Sequence, residues 1–504
     1  MNQQVQPPVI LSPLDRFRAE LAGPDLAARL AAAQIGEGVL IETPFGTRSL
    51  IYADHVASGR SLRLVEDFVM EAVLPYYANT HSQASYCGGY MTRLREAARD
   101  EIARICGAGP DSAVIFTGSG ATAGLHRVVD LLDIPARWRR GERVVVLLGP
   151  YEHHSNLLPW RESGAEIQQI SEAPDGGPDL GELEAALIAA KGAIVVGAFS
   201  AASNVTGIVT DDRAVTRLLK SHGALAIWDY AGGGPYLPMD MGKDGEAKDA
   251  IVFSSHKFSG GPGSSGVLIC RRSLAPEGRP TRAGGGTVSF VSPWDHVYQE
   301  DLESREEAGT PNVIGDIRAA LVLMIKEALG QNWISARNRS LRGIAKAGWS
   351  GLPGLEVLGR AGSDAIPVFS FRLRDGAGAL VHHQLVTRML SDVLGIQARG
   401  GCACAGPYAH HLLGMKRAES ERIFDAIRAG REVEKPGWVR LNLSYLNSDA
   451  KAARIVEGVT LIARHATELA PAYRCDSSTA RFQAEPSAGD LALATRIHEG
   501  FTGI

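Results

Sequence analysis

Cysteine is scarce in this chain. Six residues (Cys87, Cys106, Cys270, Cys402, Cys404 and Cys475) among 504 are too few and too scattered for a disulfide scaffold. Long hydrophobic runs are missing as well, and no stretch approaches the roughly 20 apolar residues that span a bilayer. Neither sign of charge dominates: 52 basic and 56 acidic residues leave a net charge of -4, which argues against nucleic-acid or membrane-surface partners. The N-terminal MNQQVQPPVILSPLDRF has no cationic start followed by an apolar stretch, so no secretory signal is expected. These absences point to a cytoplasmic protein with reduced thiols. What remains, 45% hydrophobic and 21% charged, is ordinary for a globular chain, and the length suggests two or more domains.

Residues 14–34 read as a helix, Pro44–Gly46 as a turn and Arg48–Ala53 as an extended run. From about 61 to 330, helical patterns alternate with short apolar strands. These are AVIF (113–116), VVVLL (144–148), AIVVGAF (193–199), LAIWD (225–229), AIVF (250–253) and GVLIC (266–270). Near-continuous apolar strands separated by helices predict a buried, mostly parallel sheet covered on both faces. The stretches EAPDGGPDLGE and EGRPTRAGGGT read as a loop and an irregular crossing. From about 315 the pattern changes to a long helix, then strands near 366–373 and 438–444 with helices between. The expectation is an α/β protein with a large domain over 50–320 and a smaller α+β domain over 321–472. Residues 1–49 are expected to pack with the small domain. The polar tail 473–504 is expected to be loose ahead of a last short helix.

The stretch FSSHKFSGGPGSSGVL places Lys257 just beyond an apolar strand. A lysine in a closed, partly dry site has its ammonium disfavoured, and its amine can attack an aldehyde. A lone lysine at a strand end is more commonly a solvated surface group, so the case rests on its company. In open α/β sheets, ligands bind beyond the carboxyl ends of the strands. After AVIF comes TGSGATAG at a helix start, where free N–H groups and the helix dipole favour an anion. After VVVLL come His153 and His154, and after AIVVGAF comes Asn204. LAIWD ends on Asp229, and AIVF runs into Ser254, Ser255, His256 and Lys257. A phosphate site, a flat imidazole, an amide, a carboxylate and an amine form the set that pyridoxal phosphate needs. Singly each has a plainer reading, Asp229 as a helix cap and TGSGAT as a turn. Five at five strand ends outweigh it.

With EHHSNLLPW, SSHKFSGGPG, REEAGTPN and RGGCACAGP in that order, the chain resembles the class V aminotransferase-like pyridoxal-phosphate enzymes, in particular the cysteine desulfurase and selenocysteine lyase branch. The resemblance runs from IYADHVAS at 51 to VRLNLSYLNS near 448. It implies fold type I of the PLP-dependent transferases, with a seven-stranded-type sheet in the large domain. By that resemblance Lys257 matches the Schiff-base lysine, which also moves protons at the substrate α-carbon. Asp229 matches the carboxylate on the pyridine nitrogen, His153 the imidazole stacked on the ring, and Asn204 the amide near the ring oxygen, while His154 is structural. Ala121, Thr122, Ser254 and His256 match phosphate ligands. Thr310 matches a residue that reaches the phosphate of the neighbouring subunit, which implies a homodimer with shared sites. Arg399 matches the arginine that grips the substrate carboxylate, a task suited to a bidentate guanidinium. Cys404 matches the nucleophile that takes sulfur from cysteine as a persulfide, releasing alanine, and the resemblance allows a sulfur-acceptor protein.

Two segments depart from the family pattern. Asp229-Tyr230-Ala231-Gly232 stands where relatives usually read Asp-Gly-Ala-Gln, so a glutamine near the ring oxygen is missing. Asp54-His55-Val56-Ala57 replaces Asp-Asn-Ala-Ala and brings His55 to the expected substrate entrance, as a substrate contact or as a plain loop histidine. Cys402 reads as a small buried thiol, and Cys402, Cys404, His410 and His411 lack a standard zinc spacing, so no metal is expected. The leading function is a desulfurase-like lyase acting on L-cysteine or a close analogue. Other class V activities (Cβ-lyase, epimerase, aminotransferase) would need no thiol, and a non-catalytic binding module stands as a third reading.

Overall fold

The computed structural model describes residues 12–80, 83–276 and 278–503; most of the N-terminal stretch read for a signal lies outside them. A seven-stranded sheet forms the centre of the large unit. Its order is Ser112–Gly118, Gly266–Arg271, Ala250–Ser254, Leu225–Asp229, Ile194–Ser200, Val144–Leu148 and Glu166–Gln169. Only Gly266–Arg271 runs against its neighbours; the other pairings are parallel. Six of these strands are the apolar runs expected. The seventh, Glu166–Gln169, is an edge strand with polar, largely exposed side chains, and so carries no apolar signature.

Side chains alternate across this sheet as the period-two geometry requires. Val114, Phe116, Val145, Leu147, Trp228, Ile251 and Phe253 enter one core layer. Ala113, Ile115, Val144, Val146, Ile227, Ala250 and Val252 enter the other. With both faces covered, the strand ends are the edges left open to a ligand.

A second core lies around an antiparallel sheet built from Leu355–Val357, Val368–Arg374, Trp438–Asn442 and Arg399–Gly401, with Leu380–Val381 pairing on Val368–Arg374. Helices Gln331–Trp349, His383–Leu394 and Asp449–Leu469 pack on it.

The two cores redraw three expected boundaries. Residues 1–49 do not all join the small domain. Helices Pro13–Leu21 and Leu26–Ala32 bury Leu14, Phe17, Leu21, Leu26 and Leu30 in the large core, and only the hairpin Leu40–Thr43/Gly46–Ser49 reaches the small one, through Phe45. Gly23-Pro24 also splits the single helix expected over 14–34, because proline cannot continue a helix from the preceding turn. The limit at 320 falls inside helix Val313–Leu329, which is apolar on nearly every face and belongs wholly to the large core. The chain leaves it at Gly330, whose φ of +80° suits glycine. Finally, 473–503 is ordered against the small core. The hairpin Tyr473–Asp476/Arg481–Ala484 precedes helix Ala488–Thr502, which opens on a Ser487–Asp490 capping box and buries Ala494, Ile497 and Phe501. Three buried residues at helical spacing, Ala494, Ile497 and Phe501, anchor this helix.

Candidate active site

At the carboxyl ends of the parallel strands lies a cavity of about 230 Å³. Lys257, Asp229, His153, Asn204, Ala121, Thr122, Ser254, His256, Arg399 and Cys404 all line it. Ten of the twelve site residues expected from the sequence thus meet in one place, contributed by strand-end loops and by a segment of the small unit.

Lys257 sits in a short helical turn, Ser255–Lys257, directly after strand Ala250–Ser254. Gly59 N–H donates to the His256 carbonyl at 2.9 Å, and a Cβ on Gly59 would overlap the carbonyl oxygen of Phe258. This close approach pins the lysine turn from the opposite side. Burial lowers the Lys257 pKa from 10.5 to about 8, with Asp229 opposing the shift and Arg440 and Arg399 adding to it. Asp229 is buried too, and burial raises its carboxyl above the ordinary range, partly offset by the Ala231 N–H that donates to Oδ1 at 2.7 Å.

On the anion side, helix Gly120–Leu131 begins beside Ser254, whose Oγ accepts from Ala121 N–H at 2.9 Å. Gly120 has a φ of +64°, and a Cβ there would come within 2.9 Å of Ser254 Oγ and 3.2 Å of His256 Cε1. Glycine therefore keeps this cup open. Thr122 Oγ1 lies 2.7 Å from Ser155 Oγ. Ser155 also fixes His153: its N–H donates to Nδ1 at 3.1 Å, which leaves the ring proton on Nε2. Burial, then the charge of Lys257, depress the His153 pKa to about 4, so the imidazole is neutral at pH 7.

A second polar cluster is built around Asp54. Its Oδ2 accepts from Arg399 Nε at 3.0 Å and its Oδ1 from buried Arg440 Nη2 at 2.8 Å. Arg440 Nη1 continues to the Asn204 carbonyl at 3.1 Å. Among the described residues the two Nη groups of Arg399 have no hydrogen-bond partner, so its planar fork is available to a carboxylate.

Cys404 is exposed on a loop in which Ala403 and Cys404 adopt φ values of +52° and +54°. Two successive non-glycine residues in the left-handed region need external restraint. Three bonds supply it. Asn204 Nδ2 donates to the Ala403 carbonyl at 2.8 Å, His154 N–H to the Cys404 carbonyl at 2.9 Å, and Gly406 N–H to His154 Nε2 at 3.0 Å. His154 thus holds the cysteine loop against the large unit.

Two expected site residues lie elsewhere. His55 is buried against Tyr52, ring centroids 4.9 Å apart, and burial lowers its pKa to about 3; its neighbours Val56 and Ala57 line the cavity instead. The hydrophobic packing of the segment 53–57 turns this side chain inward. Thr310 is exposed in the loop ahead of helix Val313–Leu329, away from the cavity of its own chain. Tyr230 likewise points into the core, its hydroxyl on Asp212, and Gly232 lines the cavity without a side chain. His410 bonds the Gly406 carbonyl and Ser420, and His411 bonds Glu172.

Sequence reasoning passed over Arg440, Asp54 and Glu152. Glu152 is buried behind His153 and accepts from Ser200 N–H at 2.8 Å and Ser200 Oγ at 2.7 Å, with Asn156 Nδ2 as a third donor. Its position beside two histidines at a strand end was the available signal.

A strand-end lysine facing a buried aspartate, beneath an anion cup and beside a cysteine loop, defines an enzyme of the pyridoxal-phosphate class. The family description Aminotransferase class-V matches residues 51–433, and the chain belongs to that family. It is 30% identical over 380 residues to a probable cysteine desulfurase of Staphylococcus epidermidis, covering 74% of this chain and 88% of that protein. A probable cysteine desulfurase of Streptomyces coelicolor is 29% identical over 366 residues, covering 71% and 84%. Among solved structures, a cysteine desulfurase from Thermococcus onnurineus superposes with a TM-score of 0.68 at 24% identity, covering 82% of this chain and 95% of that one. The cysteine desulfurase CsdA from Escherichia coli gives 0.65 at 24% identity, covering 91% and 99%.

Proposed function

We propose that this chain is a pyridoxal-phosphate-dependent lyase that removes sulfur from L-cysteine, or a close analogue, and releases alanine. The observation that carries the proposal is the shared cavity: Cys404, Arg399, Lys257 and Asp229 line one space. The names of the relatives support it.

The residues present suit the cofactor. Lys257 Nζ has no hydrogen-bond partner among the described residues, and Asn204 Oδ1, in the cavity lining, is buried with none. Buried polar groups are rarely left unpaired without a ligand to meet them. Lys257 would bond the aldehyde, Asp229 would hold a proton on the ring nitrogen, and His153 would cover the ring face. Asn204 would face the ring oxygen, and Ala121, Thr122, Ser254 and His256 would hold the phosphate. When bound there, pyridoxal phosphate supplies an electron sink for bonds broken at the substrate carbons.

The chain's own residues do the rest. Arg399, oriented by Asp54 through Nε, offers its Nη groups to the substrate carboxylate. The Lys257 amine moves the proton at the α-carbon. The Cys404 thiolate attacks the substrate sulfur; the carbon–sulfur bond breaks, the β-carbon takes a proton, and the sulfur stays on Cys404 as a persulfide. The exposure of Cys404 suits delivery of that sulfur to an acceptor protein. Exposed Thr310 suits a homodimer in which each chain completes its partner's phosphate site. No helix among the described residues is long and apolar enough to cross a membrane, and we place the enzyme in the cytoplasm.

The test is product analysis with L-cysteine and a reductant. Alanine and sulfide from the wild type, and neither from Cys404→Ala, are expected. Pyruvate and ammonia, with the variant unimpaired, would replace this mechanism by β-elimination.

A further inference from the structure

A second cavity, about 470 Å³, lies between helix Gln331–Trp349 and the segment 357–369 of the small unit. None of its lining residues belongs to the site above. Its apolar wall is Trp349, Phe369, Leu358 and Ile208. Arg339, Arg342, Lys346 and Arg360 line it as well, against a single acid, Asp364. Arg339, Arg342 and Lys346 are spaced along one helix face, where like charges repel one another. Arg339 and Lys346 are exposed at its rim and have no ion pair or hydrogen bond among the described residues. Arg342 donates to the Ile366 carbonyl at 3.1 Å and lies over the Phe369 ring at 5.7 Å. Ser363 Oγ, also in the lining, is buried without a partner. An aromatic wall, unpaired cations and a waiting hydroxyl describe a ligand with an apolar body and an anionic head.

This cavity is wired to the cysteine loop. Arg360 Nε lies 3.2 Å from Glu172 Oε2, an ion pair without hydrogen-bond geometry. Glu172 Oε1 accepts from Tyr151 at 2.7 Å and from Tyr408 at 3.0 Å. Tyr151 lines the active-site cavity, and Tyr408 sits in helix Gly406–Leu413, which directly follows Cys404.

We propose that this second cavity binds a small amphipathic anion, an apolar group carrying a carboxylate or phosphate, and that its occupancy is linked to the Cys404 loop through Arg360 and Glu172. An anion that draws Arg360 from Glu172 loosens the hold on the helix behind the loop.

Anilinonaphthalene sulfonate, titrated into the holoenzyme, is a suitable probe because it has this shape and emits when desolvated. Saturable fluorescence is expected, displaced by octanoate or by octyl phosphate, whichever head the site takes. Arg339→Glu/Lys346→Glu should weaken probe binding about tenfold or more while basal turnover stays at the wild-type rate. Equal binding by that variant, displacement by neither competitor, or equal displacement by inorganic phosphate alone would overturn the site. The link is read separately, as iodoacetamide labelling of Cys404 followed by mass spectrometry. A rate change of about twofold or more at saturating probe supports it, and identical rates refute it. Neither readout requires that cysteine be the substrate.

Discussion

Asp54 Oδ1 accepts from Arg440 Nη2 at 2.8 Å, and both side chains are buried. The same carboxylate holds Arg399 Nε, so one acid aims the exposed arginine and neutralises the buried one. Removing a partner from a buried ion pair leaves an uncompensated charge, at a cost of about 3–5 kcal/mol. Asp54→Ala should therefore lower the denaturation midpoint and also raise KM for the amino acid, because Arg399 loses its anchor. Denaturant titration and steady-state kinetics check both. An unchanged KM would contradict the orienting role.

Lys257 gives a pH signature. Burial depresses its amine to about 8, so the reactive neutral form is populated well below the ordinary lysine range. Uptake of pyridoxal phosphate by apoprotein should accelerate through a midpoint near pH 8 and then level off. The folded pKa lies below the unfolded 10.5, so this group favours the folded apoprotein increasingly as pH rises from about 8 to 10.5. An uptake rate still climbing through pH 10 would show an ordinary lysine.

Glu152 gives the opposite slope. Burial pushes its carboxyl up to about 8, offset by hydrogen bonds from Ser200 and Asn156. The folded state then holds a proton that the unfolded chain has released, so stability falls as pH rises from about 4.5 to 8. In Glu152→Gln that loss should vanish, and its melting temperature relative to wild type should climb across the window. Glu152→Ala should be destabilised at every pH, since each orphaned donor costs about 1–3 kcal/mol.

His154 is expected to act on the loop alone. In His154→Ala the Gly406 N–H loses its acceptor and the left-handed pair at 403–404 loses a restraint. Single-turnover sulfur transfer should slow about tenfold, as misplacement of a reacting group predicts, while the absorbance of the bound cofactor is unchanged. Loss of cofactor binding in this variant would place His154 in the wrong role.

Much of this was legible in the sequence because parallel strands buried on both faces are unmistakably apolar, and because the groups that follow them must gather at one edge. The polar edge strand Glu166–Gln169 lacked that signal. Arg440 hid inside the apolar strand Trp438–Asn442, and its meeting with Asp54 joins residues 386 positions apart, which no local pattern encodes. His55 reads as a loop histidine from its neighbours; only the tertiary packing against Tyr52 turns it inward. The last helix was expected, but the hairpin Tyr473–Asp476/Arg481–Ala484 ahead of it was obscured because its strands are short, mostly polar and largely exposed.

The most direct test follows the sulfur. Wild-type holoenzyme is mixed with L-cysteine for one turnover, alkylated, digested and analysed by mass spectrometry. The account predicts one extra sulfur on the peptide carrying Cys404, with an equivalent of alanine released. Extra sulfur on another cysteine, or alanine formed with Cys404 unmodified, would contradict it.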